Sequence, residues 1–200
     1  KEELLAEKRS PTELEEFLVD RWSEADGGEG VLDPITMRDV IKACDLGLTR
    51  LQIHTVLGAA DYDEDGLAKI SKFAPKAAEL IYRMCDLDAQ LERQEAVGNL
   101  LAGAFDPDTV HGLNQEQVEG ALMASFQAAD AAGSGYLTYW QVRSCLQEVA
   151  LGAEQLSAAE VMAMLSVSNP DDQKNVEYVS LAGYGFALLQ YLAQEAALAQ

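Results

Sequence analysis

Residues 61 to 72 read DYDEDGLAKISK. Asp61, Asp63 and Asp65 stand at alternate positions, and Gly66 follows at once. Carboxylates at this spacing, closed by a glycine bend, offer hard oxygen ligands to a divalent cation such as calcium. A loop of this kind also needs a Glu at its twelfth position, giving two oxygens, and here that position is Lys72. The exchange removes two oxygens and brings in an ammonium. Its repulsion of the ion at about 4 Å costs from ~1 to several kcal/mol, depending on the effective dielectric. With Asp61, Asp63 and Asp65 as candidate metal ligands, the expectation is weak calcium binding at best. Lys72 either pairs with the three aspartates in place of the ion or swings into solvent.

Helical periodicity dominates the elements that must position this loop. Leu14, Phe17, Leu18 and Trp22 form one apolar stripe, and Met37, Val40, Ile41 and Cys44 a second. Ile53, Val56, Leu57 and Ala60 follow, then Val118, Ala121, Leu122 and Phe126, then Val142, Cys145, Leu146 and Val149. Helix starts are marked by Ser10 with Glu13, Thr49 with Gln52, Ser157 with Glu160, and Asn114 with Gln117. From these caps to the next polar turns (Asp26, Asp61, Asp130 and Asn169, in chain order) the separations are 16, 12, 16 and 12 residues. That order is an internal duplication. A bulky apolar residue precedes each turn (Trp22, Leu57, Phe126, Leu165) and another opens each exit helix (Met37, Phe73, Val142, Leu181). Each unit is helix, loop, helix, and units pair because one cannot bury its own stripe.

The sister loops keep the frame and lose the ligands. In loop 1, residues 26–36, Gly30 takes the bend, Leu32 the eighth position and Thr36 the twelfth, and the carboxylates of Asp26 and Glu29 are out of register. Loop 2 is residues 61–72, with Ala68 at the eighth position. Loop 3, residues 130–141, keeps Asp130, Ser134, Gly135 and Leu137 but ends in Gln141. Loop 4, residues 169–180, keeps Asn169, Asp171, Val176 and Glu177, puts Lys174 at the bend and ends in Ser180. Paired loops of this kind touch at their eighth positions as a short ribbon, which is why those residues are apolar.

These motifs resemble the EF-hand superfamily, in the two-lobed arrangement of calmodulin, troponin C and myosin light chains. The likeness covers most of the chain. It implies an all-α fold of two EF-hand pairs, calmodulin-like lobes joined by a helical linker. Residues 1–9 would end an upstream helix, 10–88 form the N-lobe, 89–113 the helical linker and turn, and 114–200 the C-lobe. Asp106 and Asp108 could begin a relic fifth loop, but only 24 residues separate Asp106 from Asp130, which favours a linker. The stretch from Leu48 to Tyr82 is also similar to EF-hand proteins of ciliary axonemes. The family implies helix-in-groove recognition of an amphipathic partner helix. The five methionines are few and scattered, so they are expected in the core rather than in an adaptable groove.

The net charge of −20 argues against nucleic acid and anionic membranes and for basic partners or cations. No run of about 18 apolar residues could span a bilayer. Cys44, Cys85 and Cys145 are odd in number and far apart, and read as reduced core residues of an intracellular protein. The only histidines, His54 and His111, are expected to have no nearby Cys, Ser or acid constellation that would make a catalytic case. The expected function is therefore a calcium-insensitive structural or adaptor protein, not an enzyme. It would hold a protein partner, an amphipathic helix or a larger cytoskeletal complex, in the cytoplasm or in the axoneme of a cilium or flagellum. The alternative is a weak calcium sensor acting through residues 61–72.

Overall fold

The computed structural model describes residues 10–85, 90, 93–98 and 106–198. The expectations for residues 1–9, and for residues 99–105 of the linker, lie outside them. The chain divides between residues 96 and 97 into two compact units. Both are mostly helical, with short antiparallel strand pairs. No helix among the described residues is long and apolar enough to cross a membrane.

The first unit runs α1 (Pro11–Ala25), β1 (Val31–Leu32), α2 (Pro34–Ala43), α3 (Arg50–Gly58), β2 (Ala68–Lys69) and α4 (Ile70–Cys85). Capping fixes where the helices start. Ser10 and Thr49 each form the reciprocal box with Glu13 and Gln52 that their spacing foretold. Asp33 caps α2, accepting from the amides of Ile35 and Thr36, with Pro34 at the first helical position. β1 pairs with β2, setting Leu32 opposite Ala68. Trp22 on α1 stacks on Phe73 of α4, ring centroids 5.4 Å apart. Leu14, Leu18, Met37, Ile41, Val56, Leu57 and Ile81 complete the centre of the core.

The second unit contains α5 (Gln115–Ala129), β3 (Tyr136–Thr138), α6 (Tyr139–Glu148), β4 (Ala150–Leu151), β5 (Glu154–Gln155), α7 (Ala158–Val167), β6 (Asn175–Glu177) and α8 (Tyr178–Leu198). Asn114 and Ser157 form their boxes with Gln117 and Glu160. β3 pairs with β6, setting Leu137 opposite Val176. The apolar residues assigned to the eighth position of each loop are thus the cross-strand partners in both units. A further hairpin, β4 with β5, has no counterpart among the described residues of the first unit and was not expected from the sequence.

All eight bulky residues flanking the four loops are buried. Burial takes one face of most helices, but from Val161 to Val167 α7 is buried on every face, as an apolar helix without a polar side must be. Met37, Met84, Met162 and Met164 are buried and Met123 is half-buried, so the methionines serve the core. The three thiols are free; Cys145 is buried and the other two half-buried.

α8 reaches α5 through a glycine. A Cβ on Gly185 would lie 2.6 Å from Leu122 Cδ1 and 3.2 Å from Met164 Cε. Both neighbours are fully buried, so their side-chain ends must shift within a filled core to admit it. Gly183, on the exposed side of the same turn, meets nothing within 4 Å. Gly185→Val should lower the unfolding free energy of this unit by about 1–3 kcal/mol through overpacking. Gly183→Ala should raise it by about 0.5–1 kcal/mol through helix propensity. Urea unfolding of the two variants measures both.

Candidate functional site

The four loops share one backbone shape. Their bend residues lie in the left-handed region: Gly30 at φ 73°, Gly66 at 78°, Gly135 at 79° and Lys174 at 61°. Lys174 holds this conformation despite its Cβ, at a cost of about 1–2 kcal/mol. The loops are also stitched across each ribbon. Ile70 N donates to Gly30 O, Tyr139 N to Lys174 O, and Tyr178 N to Gly135 O.

Each loop turns a carboxylate onto its own amides. Asp26 accepts from Gly28 N and Gly30 N. Asp63 accepts from Leu67 N at 2.9 Å, and Asp171 from Gln173 N and Asn175 N. Asp130 is the most enclosed of the four. It accepts from Gly135 N at 2.8 Å, from Ser134 Oγ at 3.1 Å and from Tyr178 Oη at 3.0 Å. Burial would raise its pKa, but the amides of Gly135 and Ser134 and the Tyr178 hydroxyl outweigh it and hold the carboxyl below its usual range. Tyr178 stands at the start of α8, its ring 5.7 Å from Phe126. Its hydroxyl therefore ties loop 3 to the exit helix of loop 4.

The twelfth positions show what replaced the missing Glu. In loop 1, Thr36 Oγ1 donates to Asp33 Oδ2 at 2.6 Å and its amide to Asp33 Oδ1. In loop 3, Gln141 Oε1 accepts from the amide and hydroxyl of Thr138, and Thr138 Oγ1 caps the Gln141 amide. In loop 4, the Ser180 amide donates to Glu177 Oε2 and the Val179 amide to Glu177 Oε1. The Ser180 hydroxyl first, and then the amides of Ser180 and Val179, hold the Glu177 carboxyl below its usual range against its partial burial. In all three the ninth residue caps the exit helix and the twelfth is its partner three residues on. The side chains that would close around an ion close the helix instead.

Loop 2 is the exception. Its ninth and twelfth residues are Lys69 and Lys72, and neither can accept a bond from an amide. Lys72 is exposed, and among the described residues no ion pair joins it to Asp61, Asp63 or Asp65. Pairing of Lys72 with the aspartates is thus not what the structure shows; its ammonium faces water. All three aspartates are exposed. Asp61 and Asp65 hold no hydrogen-bond or ion-pair partner among the described residues. The loop closes through Gly66 N to Asp63 O, through Asp63 N to Leu67 O, and through a bridge between Tyr62 and Ala68. Among the described residues no three His, Cys, Asp or Glu side chains gather closely enough to hold a metal ion. The donor set of loops 1, 3 and 4 does not fit calcium, and that of loop 2 fits only in its first half.

The histidines correct one expectation. His111 is flanked by acids that the sequence separates from it. Its Nδ1 lies 2.9 Å from Glu154 Oε2, and its Nε2 lies 2.9 Å from Glu160 Oε1. His111 and Gly112 both have positive φ at the tip of a turn bridged from Val110 to Leu113. The pair of contacts docks that turn on the β4–β5 hairpin and the start of α7. Glu160 also caps α7 through Ser157, so its carboxylate is fully used. Ser157 joins the cluster through Glu160, its hydroxyl donating to Glu160 Oε2 at 2.8 Å, while both imidazole nitrogens are held by carboxylates, and the arrangement is a clamp. His54 is the opposite case, buried on α3.

No protein-family model matches the chain, and no curated protein matches it significantly.

The two histidines bias stability in opposite directions. Burial, followed by the charges of Arg50, Lys42 and Arg38, pushes His54 down to about 3. Its contribution is complete above the unfolded value near 6.5 and is lost as pH falls through 3, at up to about 1.4 kcal/mol per pH unit. For His111, burial would lower the pKa, but the hydrogen bonds and charges of Glu154 and Glu160 raise it above the ordinary value. Its contribution is complete below 6.5 and is lost as pH rises through the raised value. His54→Leu should flatten the acid-side loss of protection in the first unit. His111→Gln should flatten the loss above pH 6.5 in the second. Residue-resolved hydrogen exchange across pH 4–9 reads both, and unchanged slopes would show that neither histidine is placed as described.

Proposed function

We propose that this chain is a calcium-independent structural or adaptor protein built on two EF-hand pairs, whose loops have exchanged metal ligation for helix capping. The observation that carries the reading is the paired use of the ninth and twelfth loop residues: Asp33 with Thr36, Thr138 with Gln141, Glu177 with Ser180. Antiparallel contacts at Leu32–Ala68 and Leu137–Val176 support the pairing of loops into lobes. The repeated left-handed bends support their common origin. Such lobes stay in one state and hold a protein partner, as the light-chain members of the family do. The similarity of residues 48–82 to axonemal EF-hand proteins points to a cytoskeletal assembly, in the cytoplasm or the axoneme of a cilium or flagellum.

One observation favours a second reading. Asp61 and Asp65 are exposed and hold no partner among the described residues, so loop 2 keeps the start of a calcium site and would act as a weak sensor. A sensor needs an ion that distinguishes two conformations, and here a single half-built loop would have to supply that difference.

A thermal melt with millimolar calcium or with chelator separates the readings. The wild-type midpoint should move by less than about 1 °C, whereas a ligand at 100 times its Kd adds about 2.7 kcal/mol. Lys72→Glu restores the bidentate ligand and should create calcium binding measurable by calorimetry. A clear calcium-linked rise in the wild type would replace the adaptor reading with the sensor. Absence of binding in Lys72→Glu would show that loop 2 is not in calcium-binding register.

A further inference from the structure

Among the described residues, three large apolar side chains stand about half in water: Tyr136 at 50 %, Trp140 at 53 % and Val179 at 51 % exposure. All three belong to the paired loops of the second unit. Tyr136 is the seventh residue of loop 3, and Trp140 and Val179 are the eleventh residues of loops 3 and 4. Along β3, Leu137 is buried while Tyr136 and Thr138 are exposed, so Tyr136 faces outward from the ribbon. Trp140 and Val179 lie in the first turns of α6 and α8, the helices that leave the two strands. The first unit builds a matching ribbon without aromatics at these places, where it has Val31, Ile35 and Ser71. The fold therefore does not require Tyr136 and Trp140, and exposed aromatics of this kind are what a docking surface uses.

We infer that the outward face of the β3–β6 ribbon, Tyr136 with Trp140 and Val179, docks a short arginine-bearing apolar segment of a partner protein. This deepens the adaptor reading, and rests on it only for the partner's being a protein. Trp140 is held ready for such a contact. Its ring stands edge-on to Tyr139, centroids 5.8 Å apart, and the Arg143 guanidinium lies over it, 5.4 Å from its centroid. An anchor already fixed by its neighbours loses little freedom on binding.

Size and charge select the occupant. Large apolar side chains bury about 150–250 Å² each, so three half-exposed ones offer roughly 300 Å², well short of the ~800 Å² per partner of a stable protein interface. A short segment suits that area, and a second copy of this chain does not. A second copy would also set acid against acid, because residues 106–198 carry twelve Asp and Glu against Arg143 and Lys174. Loop 4 follows that balance, with Asp171, Asp172 and Glu177 against Lys174. Glu177 lies directly across the ribbon from Tyr136. A partner arginine there meets a carboxylate and the face of a phenol ring together, as the Arg143 guanidinium already meets the face of Trp140. Apolar side chains of the same segment cover Trp140 and Val179.

The test is fluorescence anisotropy of a dye-labelled dodecapeptide of alternating Arg and Leu, titrated with the full chain at 150 mM salt. Binding should appear, and replacing every Arg by Glu, or every Leu by Ser, should weaken it at least tenfold. Tyr136→Thr/Trp140→Gln should weaken it at least tenfold. Asp108→Asn/Glu116→Gln, which removes two exposed charges elsewhere in the second unit, should weaken it less than twofold. Acrylamide quenching needs no variant. Trp22 and Trp140 are the two tryptophans and Trp22 is fully buried, so quenching reports Trp140, and the unlabelled peptide should at least halve it. Far-ultraviolet melts verify that the variants fold; the quenching keeps the test valid if they do not. No peptide binding, undiminished binding by Tyr136→Thr/Trp140→Gln, or no protection of Trp140 would overturn the patch. Equal binding of the Glu–Leu peptide would overturn arginine as the partner's charge. Dimerisation in sedimentation velocity, lost in Tyr136→Thr/Trp140→Gln, would overturn the peptide in favour of a second copy. Failure here leaves the calcium-independence reading intact, and a calcium-shifted melt leaves the patch intact.

Discussion

A helix that starts directly after a tight loop exposes amides that need acceptors, and most of this structure follows from how that need is met. In three of the four loops the carboxylate or hydroxyl oxygen of the ninth residue turns onto the first turn of the exit helix. With the helix start fixed, the bulky residues that follow (Met37, Val142 and Leu181) are aimed inward to meet Trp22, Phe126 and Leu165. The bend residue is then positioned so that its carbonyl accepts from the partner loop, and the ribbon forms. A single local hydrogen bond thus sets the direction of the helix, the filling of the core and the register between loops. In a metal-holding loop part of this work falls to the ion. Here it falls to side chains within a few residues of one another, each bond contributing about 1 kcal/mol.

Much of this was legible in the residues themselves. The four expected capping boxes rest on spacings that physical chemistry reads directly, and the buried stripes follow from period 3.6. The eighth-position residues identified the strand partners because the side that faces a ribbon must be apolar. What escaped was of two kinds. Some local signals were present and passed over. Thr138 with Gln141 has the same spacing as the other boxes, and Asp33 before Pro34 is a recognisable helix start, but a reading of the loops as metal sites overlooks both. The rest depends on distance along the chain. Glu154 and Glu160 approach His111, and Tyr178 reaches Asp130, only because the fold brings together segments more than 40 residues apart. No periodicity encodes that.

Loop 2 shows what happens when the cap is absent. Lysines at its ninth and twelfth positions cannot accept from amides, and the loop closes through backbone bonds, the Leu67 amide on the Asp63 carboxylate and the bridge from Tyr62 to Ala68. Asp61 and Asp65 stay exposed. The loop that looked closest to binding an ion is therefore also the one whose ninth residue cannot cap its exit helix. In the second unit, charged groups also close contacts between elements, as in the clamp of His111 between two glutamates.

The all-round burial of α7 has a bearing on how the chain is made. Residues 161 to 167 have no side suited to water, so this stretch is sound only when its neighbours are in place. One of those neighbours is α8, which packs against it and lies later in the sequence. During synthesis at about 5–20 residues per second, α7 waits about 2–6 s for the roughly thirty residues through the end of α8 to appear. For that interval the nascent chain presents its most apolar helix uncovered, and a chaperone or the ribosome exit surface is the natural shelter.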